Sequence, residues 1–442
     1  MNSGWFDNAV KYGVLLIGSC VAGNAISAGF TLNETSAGAA GTAYAGRAAN
    51  PEDASVMSAN PAGIAFLDRP QFTVGGGLIV PHEKYHHGVG ADSQGNDITQ
   101  TSSVKGDFVG AQGVPFGFYS MPLDEPLSFG LGFYVPYAAM TEYGNDFVGR
   151  YLALNTELVT LNLQPTLSWK FNDAFAVGFG LIFSYLDGEL TQLKNPSPLP
   201  ANKAFKSKMT GHDWGYGWNA GMLWMPNDDT TIGVAYTSKI NYTVEGDLKL
   251  KGDLVNAESH GHLKLILPEK WEISGTYKLD ERWTVMGGTV WTRWSRFDEI
   301  KAIADDGIPA LGIPAGGVAS YTPENWKDVW AWSVGASYRL NNEWLLRAGY
   351  GYDTSPVKSA WRTARIPDID REWLTFGASY QPVPDYTIDL AYGHMFNKNV
   401  KVDEHEYNWD NATGVVSRGA ASYKAKYKVS ANVLVVSLTH RL

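Results

Sequence analysis

The sequence predicts an all-β protein: a 14-stranded antiparallel transmembrane β-barrel plugged by a small N-terminal hatch. Three observations predict it, namely a recurring turn, strands with a period of two, and an unusual composition. The turns are short and acidic or rich in Asn and Pro, and they recur at spacings of roughly 40 to 60 residues, about two long strands and a loop. They occupy residues 123–125, 171–173, 226–229, 279–281, 341–343 and 382–385.

The strands beside these turns alternate between bulky apolar and small or polar side chains. Around the fifth turn, Trp330, Trp332 and Val334 alternate with Ser333 and Gly335. A soluble sandwich also alternates, but it rarely needs strands of ten or more residues, whereas a membrane barrel turns its bulky residues outward to lipid. The strand after the sixth turn repeats the pattern, with Tyr386, Ile388, Leu390 and Tyr392 on one face.

The composition also favours a barrel. The 442 residues include 48 Gly, 16 Trp and 23 Tyr, and only 18% are charged. Trp and Tyr form belts at the two membrane interfaces, and small residues suit the inward positions. After the N-terminus no segment approaches 18 consecutive apolar residues, so membrane-spanning helices are not expected. The formal net charge of −10 speaks against a nucleic-acid partner, which requires a basic surface.

Residues 1–27 have the features of an export signal peptide. Lys11 precedes an apolar run over residues 12–22, and small residues end at Ser27, where we expect cleavage. A membrane anchor is the alternative, but the run is shorter than the roughly 20 residues that a span needs. Lipidation at Cys20 is a second alternative. Because Cys20 is the only cysteine, cleavage after Ser27 leaves a mature chain without a thiol.

Residues 28–69 do not follow the strand pattern. They are rich in Ala, Gly, Ser and Asn and have too little bulk for a core of their own. A barrel of 14 strands is wider than one that its own side chains can fill, so we expect this segment, from Phe30 to the region of Asn60, to form a hatch inside the lumen. Asn60 and Pro61 suit the N-cap and first turn of a short helix, and capping alone would explain them.

The remaining residues, 70–442, are predicted to form the barrel. Both chain ends then lie on the side of the short turns, and the long loops 137–158, 195–213, 298–325 and 354–370 lie on the extracellular side. The predicted strands are 71–80, 113–121, 127–136, 159–170, 174–193, 214–225, 230–250, 262–277, 282–297, 326–340, 343–353, 371–381, 386–396 and 423–442.

Seven motifs occur in order along essentially the whole mature chain. They are Ala28-Gly29-Phe30-x-Leu32-Asn33-Glu34, Asn60-Pro61-Ala62, Asp68-Arg69-Pro70, Trp214-Gly215-Tyr216-Gly217-Trp218-Asn219-Ala220-Gly221, Leu267-Pro268-Glu269-Lys270-Trp271-Glu272, Asp353-Thr354-Ser355-Pro356 and Ile366-Pro367-Asp368-Ile369-Asp370-Arg371. Together they resemble the FadL family of long-chain fatty-acid and aromatic-hydrocarbon transporters of Gram-negative outer membranes, and their order along the chain makes the resemblance specific.

The resemblance implies passive uptake of a hydrophobic molecule, which passes a lumen pocket beside the hatch and leaves through a gap at a kinked third strand. Pro136 supports such a gap independently, because proline cannot donate to the ladder. Tyr137 and Ala138 would then line a lateral gate. The alternative is that Pro136 only ends its strand. The implied partners are the cargo and outer-membrane lipid, with a monomeric protein and no cofactor.

One departure from the family bears on the cargo. Fatty-acid members hold the carboxylate with basic lumen residues, and the corresponding positions here, Gln192 and Thr322, are neutral. A neutral site does not compensate the desolvation of a carboxylate. We therefore expect neutral cargo such as monoaromatic hydrocarbons, with long-chain fatty acids as the alternative. Lys194 faces the same way as Gln192 and would restore the charge.

Two other classes of barrel were considered. A lipolytic outer-membrane enzyme needs a nucleophile beside a base, but His212, His394 and His440 lie in no catalytic or metal-binding motif, so neither catalytic residues nor a metal site are expected. The pair His86-His87 suits a solvated loop. A general diffusion porin would not begin with a segment of small residues placed to block it, and it would show large conductance steps where a plugged transporter shows little current.

Overall fold

The computed structural model describes residues 29–200 and 202–442. The predicted signal peptide and its cleavage after Ser27 lie outside the described residues, as does Cys20. No helix in the described part of the chain is long and apolar enough to cross a membrane.

Within the described residues, fourteen wall strands form one closed antiparallel sheet, in which the last strand pairs with the first. The predicted all-β barrel is confirmed. Six wall strands, the second, third, seventh, eighth, ninth and tenth, each consist of two segments. The strands are β1 Gln71–Ala91, β2 Gly106–Asp107, β3 Gln112–Pro122, β4 Leu127–Tyr134, β5 Ala138–Glu142, β6 Asn155–Asn172, β7 Phe175–Lys194, β8 Phe205–Asn227, β9 Thr230–Thr237, β10 Ile240–Lys251, β11 Asn256–Leu267, β12 Lys270–Lys278, β13 Trp283–Thr292, β14 Glu299–Ala304, β15 Gly317–Pro323, β16 Val329–Arg339, β17 Trp344–Asp353, β18 Arg371–Val383, β19 Tyr386–Trp409 and β20 Val416–Arg441.

The alternation separates outward apolar side chains from inward small or polar ones, as predicted. Trp330, Trp332 and Val334 point outward and are 46%, 54% and 61% exposed, whereas Ser337 and Asp389 point inward and are buried. Exposed apolar side chains of this size on most wall strands would be costly in water and are typical of a surface that faces lipid. All six predicted turns join neighbouring strands at one end of the barrel, where Leu442 also donates its N–H to the Pro70 carbonyl at 2.7 Å.

Several strands extend beyond the bounds that the sequence suggested, and four do so most clearly. β1 continues to Ala91, β8 begins at Phe205 within the predicted loop 195–213, β19 continues to Trp409, and β20 begins at Val416. The period of two persists there, but the outward residues change from apolar to charged, which from sequence is typical of a loop. The predicted loop 298–325 likewise contains the β14–β15 hairpin.

Residues 29–69 contain only short helical elements, which begin at capping side chains. These are the α-helix Ala37–Ala40, capped by Ser36, and the 3₁₀-helices Ala54–Ser58 and Pro61–Phe66, capped by Asp53 and Asn60; short 3₁₀ turns also occur at Thr99–Thr101, Trp294–Arg296, Pro309–Leu311 and Ser359–Trp361. Side-chain acceptors at these positions satisfy the free N–H groups of a helix start.

The segment 29–69 contacts the inner face of strands on opposite sides of the ring. A Cβ on Gly178 of β7 would lie 2.3 Å from the Pro61 backbone, and one on Gly349 of β17 would lie 2.1 Å from the Thr42 backbone. Glycine at these inward positions therefore lets the two backbones approach. The main apolar core lies between this segment and the inner wall. That the segment closes the lumen, and that its boundary lies at residue 69, stay predictions.

Candidate functional site

The wall is interrupted at the third strand. β4 ends at Tyr134 and β5 begins at Ala138. Tyr134 pairs with Asn162 of β6, and Ala138 pairs with Val159. Three residues of the third strand, 135–137, therefore lie opposite only two residues of β6. Alternation from Leu131 would turn Val135 outward, yet Val135 is only 1% exposed. The strand therefore bends into the barrel at Pro136, which corrects the predicted end of the strand at this residue: the strand resumes beyond the bend.

The bend separates the third strand from β3. Their last ladder pair is Gly117 with Phe133, and the chains meet again where the Glu142 N–H donates to the Phe108 carbonyl at 2.8 Å. Pro115 lies on the β3 side of this unpaired stretch and Pro136 on the other. Because neither residue has an N–H, each edge of the interruption lacks a ladder donor.

The start of the described chain covers the interruption from inside. The Leu32 N–H donates to the Pro136 carbonyl at 2.7 Å, and the Ala138 N–H donates to the Phe30 carbonyl at 3.0 Å. Thr31 and Tyr137 form an antiparallel bridge between these two bonds. Backbone groups that lose their partner in the wall are thus satisfied by residues 30–32, as buried backbone groups require.

Phe30 anchors this start in an aromatic cluster. Its ring lies 4.8 Å from Trp294, 5.5 Å from Phe297 and 6.0 Å from Tyr137, measured between ring centroids, mostly edge to face. Gly29 precedes it with φ +70°, and a Cβ there would lie 2.8 Å from the Trp326 ring, so only glycine fits. The geometry holds Phe30 tightly beside the bend.

A cavity lies behind the bend. Pro136, Tyr137, Arg47 and Lys270 line it. Arg47 forms a bidentate ion pair with Glu272, at 2.7 and 3.0 Å. Among the described residues, no acidic side chain lies within 4 Å of the Lys270 ammonium. Lys270 is therefore a cation without an ion pair at the rim of the gap.

A second cavity presents an almost wholly apolar surface. Phe30 and Phe297 of the aromatic cluster line this cavity. Buried apolar groups favour an apolar occupant by about 25 cal/mol per Å² removed from water. Its other lining residues include Ala139, Leu158, Leu186, Val244, Leu248, Leu263, Leu265 and Ile366.

Asn60 and Pro61 lie deeper in segment 29–69 and line neither of these cavities. The Asn60 side chain accepts from the Ala62 N–H at 3.0 Å and donates to the carbonyls of Ala48 and Met222, at 2.7 and 3.0 Å. Pro61 occupies the first turn of its 3₁₀-helix, and its carbonyl accepts from Ser168. Both residues fasten the segment to the wall and line none of the cavities around the bend.

The predicted lumen positions take separate partners. Gln192 accepts a hydrogen bond from Arg365 at 2.7 Å, and Lys194 forms an ion pair with Glu406 at 3.1 Å. Thr322 pairs with Ile300 in the β14–β15 hairpin. Burial lowers the pKa of Arg365 to about 10. Because of its ion pair with Glu406, Lys194 is already neutralised.

Three site residues were not singled out from sequence: Pro115, Lys270 and Arg365. Lys270 had a usable signal, because the outward positions of Trp271 and Ile273 place it inward by alternation. Arg365 comes from a loop, where no periodicity assigns a direction. Of the predicted gate, the structure brings Pro136, Tyr137 and Ala138 together with Phe30.

The part of the chain that the structure describes holds no group of three metal-binding side chains. His394 instead bonds Asn432 at 2.9 Å, and His440 stacks on Tyr386 with ring centroids 4.3 Å apart.

Comparisons with known proteins agree with this architecture. Residues 18–442 match the family described as "Outer membrane protein transport protein (OMPP1/FadL/TodX)". A long-chain fatty acid transport protein of Escherichia coli O6:H1 is 29% identical over 415 residues, which cover 86% of this chain and 89% of the relative. The crystal structure of a Pseudomonas aeruginosa FadL homologue has a TM-score of 0.82 at 25% identity and covers 94% of this chain and 100% of its own.

The Pseudomonas putida toluene transporter TodX shares the fold, with a TM-score of 0.67 at 20% identity over 88% of this chain and 94% of its own. The family description and these names belong to transport proteins and not to enzymes, which confirms the prediction of a non-enzymatic outer-membrane barrel. The chain belongs to the OMPP1/FadL/TodX family of outer-membrane transport proteins.

Proposed function

We propose that the protein takes up hydrophobic small molecules by passive diffusion and releases them sideways, through the interruption between β3 and the third strand. The observation that carries this proposal is the unpaired stretch with Pro115 on one edge and Pro136 on the other. A hydrophobic molecule gains free energy by entering lipid directly, at about 0.8 kcal/mol for each CH₂ group removed from water.

Residues 28–69 act in this proposal as the hatch, and their first residues act as the gate. Thr31 and Leu32 cover the gap from inside, so cargo leaves only after they release Pro136 and Tyr137. Ion pairs deeper in the segment, such as Arg47 with Glu272 and Glu52 with Arg347, both at 2.7 Å, hold the rest in place. Opening therefore requires a movement of the first few residues and not of the whole hatch.

For the cargo, the two cavities together favour an amphipathic carboxylate such as a long-chain fatty acid. The apolar cavity suits a hydrocarbon chain, and Lys270 offers a cation that no acid of the described residues neutralises within 4 Å. A charge-assisted hydrogen bond to a carboxylate contributes about 1.5–3 kcal/mol. The name of the Escherichia coli relative fits this choice.

A neutral monoaromatic hydrocarbon is the second candidate. Gln192 and Thr322 are neutral, as the sequence indicated, and the rings around Phe30 suit a small aromatic guest. TodX, which shares the fold, is named as a toluene transporter. The preference for neutral cargo stays a prediction, and the charge of Lys270 is the observation that opposes it.

Uptake of radiolabelled oleate and toluene by cells that lack other such transporters tests the exit. Pro136→Val restores an N–H and lets the third strand pair through, so uptake of whichever cargo is carried should fall severalfold. Pro165→Val is the matched control, because Pro165 lies in β6 opposite Leu131, where the wall is paired. Normal uptake by Pro136→Val, with ligand binding intact, would place the exit elsewhere.

A further inference from the structure

Five lysines lie on the outward face of the seam where the barrel closes. Lys84 lies on β1, Lys424, Lys426 and Lys428 lie on β20, and Lys401 lies on β19. All five are exposed, and they alternate with buried residues such as Tyr423, Tyr427 and Val402 on the inner side. We call these five residues the lysine patch.

Lysines of the patch lie directly opposite one another in the ladder. Lys84 pairs with Lys428 across β1 and β20, and Lys426 pairs with Lys401 across β20 and β19. Like charges in such positions destabilise a sheet. Among the described residues, no acidic side chain lies within 4 Å of Lys401, Lys426 or Lys428.

In the part of the chain that the structure describes, two aspartates form ion pairs with the patch. Asp107 lies 3.4 Å from Lys84, and Asp403 lies 3.0 Å from Lys424. Five lysines against two aspartates leave a net charge of +3, on a chain whose formal net charge is −10. A cation cluster of this kind is stabilised by an external anion.

Another pair of opposed lysines shows that the chain can supply acids. Lys208 and Lys249 are opposite across β8 and β10. Glu189 lies 2.6 Å from Lys208, and Asp247 and Glu258 lie 3.2 and 2.9 Å from Lys249. The lysine patch differs from this pair because its own strands leave three lysines without an acid.

The height of the patch matches a lipid headgroup. Further down β20, Leu434 and Val436 are exposed apolar residues of the lipid-facing belt. Asn432, bonded to Tyr392 at 2.7 Å, marks the upper edge of that belt. Lys428 is four residues beyond Asn432, which at 3.3 Å per residue and the usual strand tilt is about 10 Å higher. The short turns lie at the other end of the barrel, so the patch faces the outer leaflet.

We propose that the lysine patch binds the phosphate groups of outer-leaflet lipopolysaccharide. The patch offers several ammonium groups in a fixed array, and a phosphorylated lipid presents several anionic oxygens at that depth beside acyl chains that cover the apolar belt. This site lies outside the barrel and is independent of the transport path in the lumen. It also stabilises the opposed lysines of the closing seam.

Binding of purified barrel to lipopolysaccharide micelles, measured by titration in detergent, tests the proposal. The double variant Lys401→Ala/Lys426→Ala removes one opposed pair and should bind about thirtyfold more weakly at low salt. The matched variant Lys208→Ala/Lys249→Ala should bind like the wild type. Enzymatically dephosphorylated lipopolysaccharide should bind as weakly to the wild type as intact lipid does to the patch variant, and inorganic phosphate at equal concentration should not compete.

A stability measurement keeps the test decisive if the variants fold differently. In detergent without lipopolysaccharide, the patch variant loses only repulsion and should unfold at the same temperature as the wild type or higher. Added lipopolysaccharide should raise the unfolding temperature of the wild type and the Lys208/Lys249 variant, but much less that of the patch variant. Equal effects on both variants, or full competition by inorganic phosphate, would overturn the proposal.

Discussion

The closing seam and the third strand are two regions of one wall with opposite construction. β1 and β20 pair through nineteen residues, with one irregularity between His86 and Val89. β3 and β4 pair through only six, from Gly117 to Pro122 on β3. The seam keeps its alternation on each side of that irregularity, whereas the third strand buries Val135 at an outward position.

The difference teaches how a barrel can be opened without losing its fold. At the seam the ladder runs along the whole strand with a single irregularity, so the cylinder stays closed. At the third strand two prolines remove donors, and residues 30–32 take over the freed groups. A cover bonded to the wall by a few hydrogen bonds can move, because each contributes only about 0.5–1.5 kcal/mol net.

The largest effect is expected from removing the cover altogether. Deletion of residues 31–60 leaves all fourteen wall strands, so a foldable barrel should form, but its lumen and gap stand open. Cells should then become sensitive to hydrophilic antibiotics, and specific uptake should be lost. Inhibition zones and planar-bilayer conductance measure this opening, with heat-modifiable mobility as the folding control. Unchanged permeability would mean that the segment does not close the lumen.

A smaller effect is expected when a steric clash only displaces the hatch slightly from the inner wall. Gly349→Ala places a Cβ about 2 Å from the Thr42 backbone, and overpacking of this kind typically costs about 1–3 kcal/mol. Gly275→Ala is the matched control, since the nearest atom to its Cβ would be 3.8 Å away. Residual ion current should rise in the first variant alone. Equal currents in both would show that the hatch tolerates the added methyl group.

The seam and the bend also differ in how far the sequence predicted them. Period-two alternation placed all fourteen wall strands, because lipid requires bulky outward residues. The outer halves of β19 and β20 were missed, since above the lipid belt outward positions carry residues such as Lys426, which also suit loops. Pro136 marked the bend, but its pairing with Leu32 joins residues that are distant in sequence, and no local pattern predicts it.

A substitution of Lys270, which lies behind the bend, distinguishes the two candidate cargoes. If its ammonium holds a carboxylate beside the gap, Lys270→Met should weaken oleate binding by about tenfold or more and leave toluene binding nearly unchanged. Lys194→Met is the control, because Lys194 already pairs with Glu406. Binding to purified protein separates this effect from uptake. An equal loss of affinity for both ligands would assign Lys270 a structural role. Unchanged affinity for oleate would favour neutral cargo.

The most direct test of the central claim ties the cover to the third strand. Thr31→Cys/Tyr137→Cys joins two residues that already form an antiparallel bridge, within reach of a disulfide. Thr73→Cys/Thr439→Cys is the equivalent cross-link in the seam, where the two Oγ1 atoms lie 3.0 Å apart. Cells in which the cysteines at 31 and 137 are oxidised to a disulfide should lose uptake and recover it on reduction. The cross-link in the seam should have no effect on uptake. Wild-type uptake through a fully oxidised Thr31–Tyr137 pair would contradict a gate at the bend.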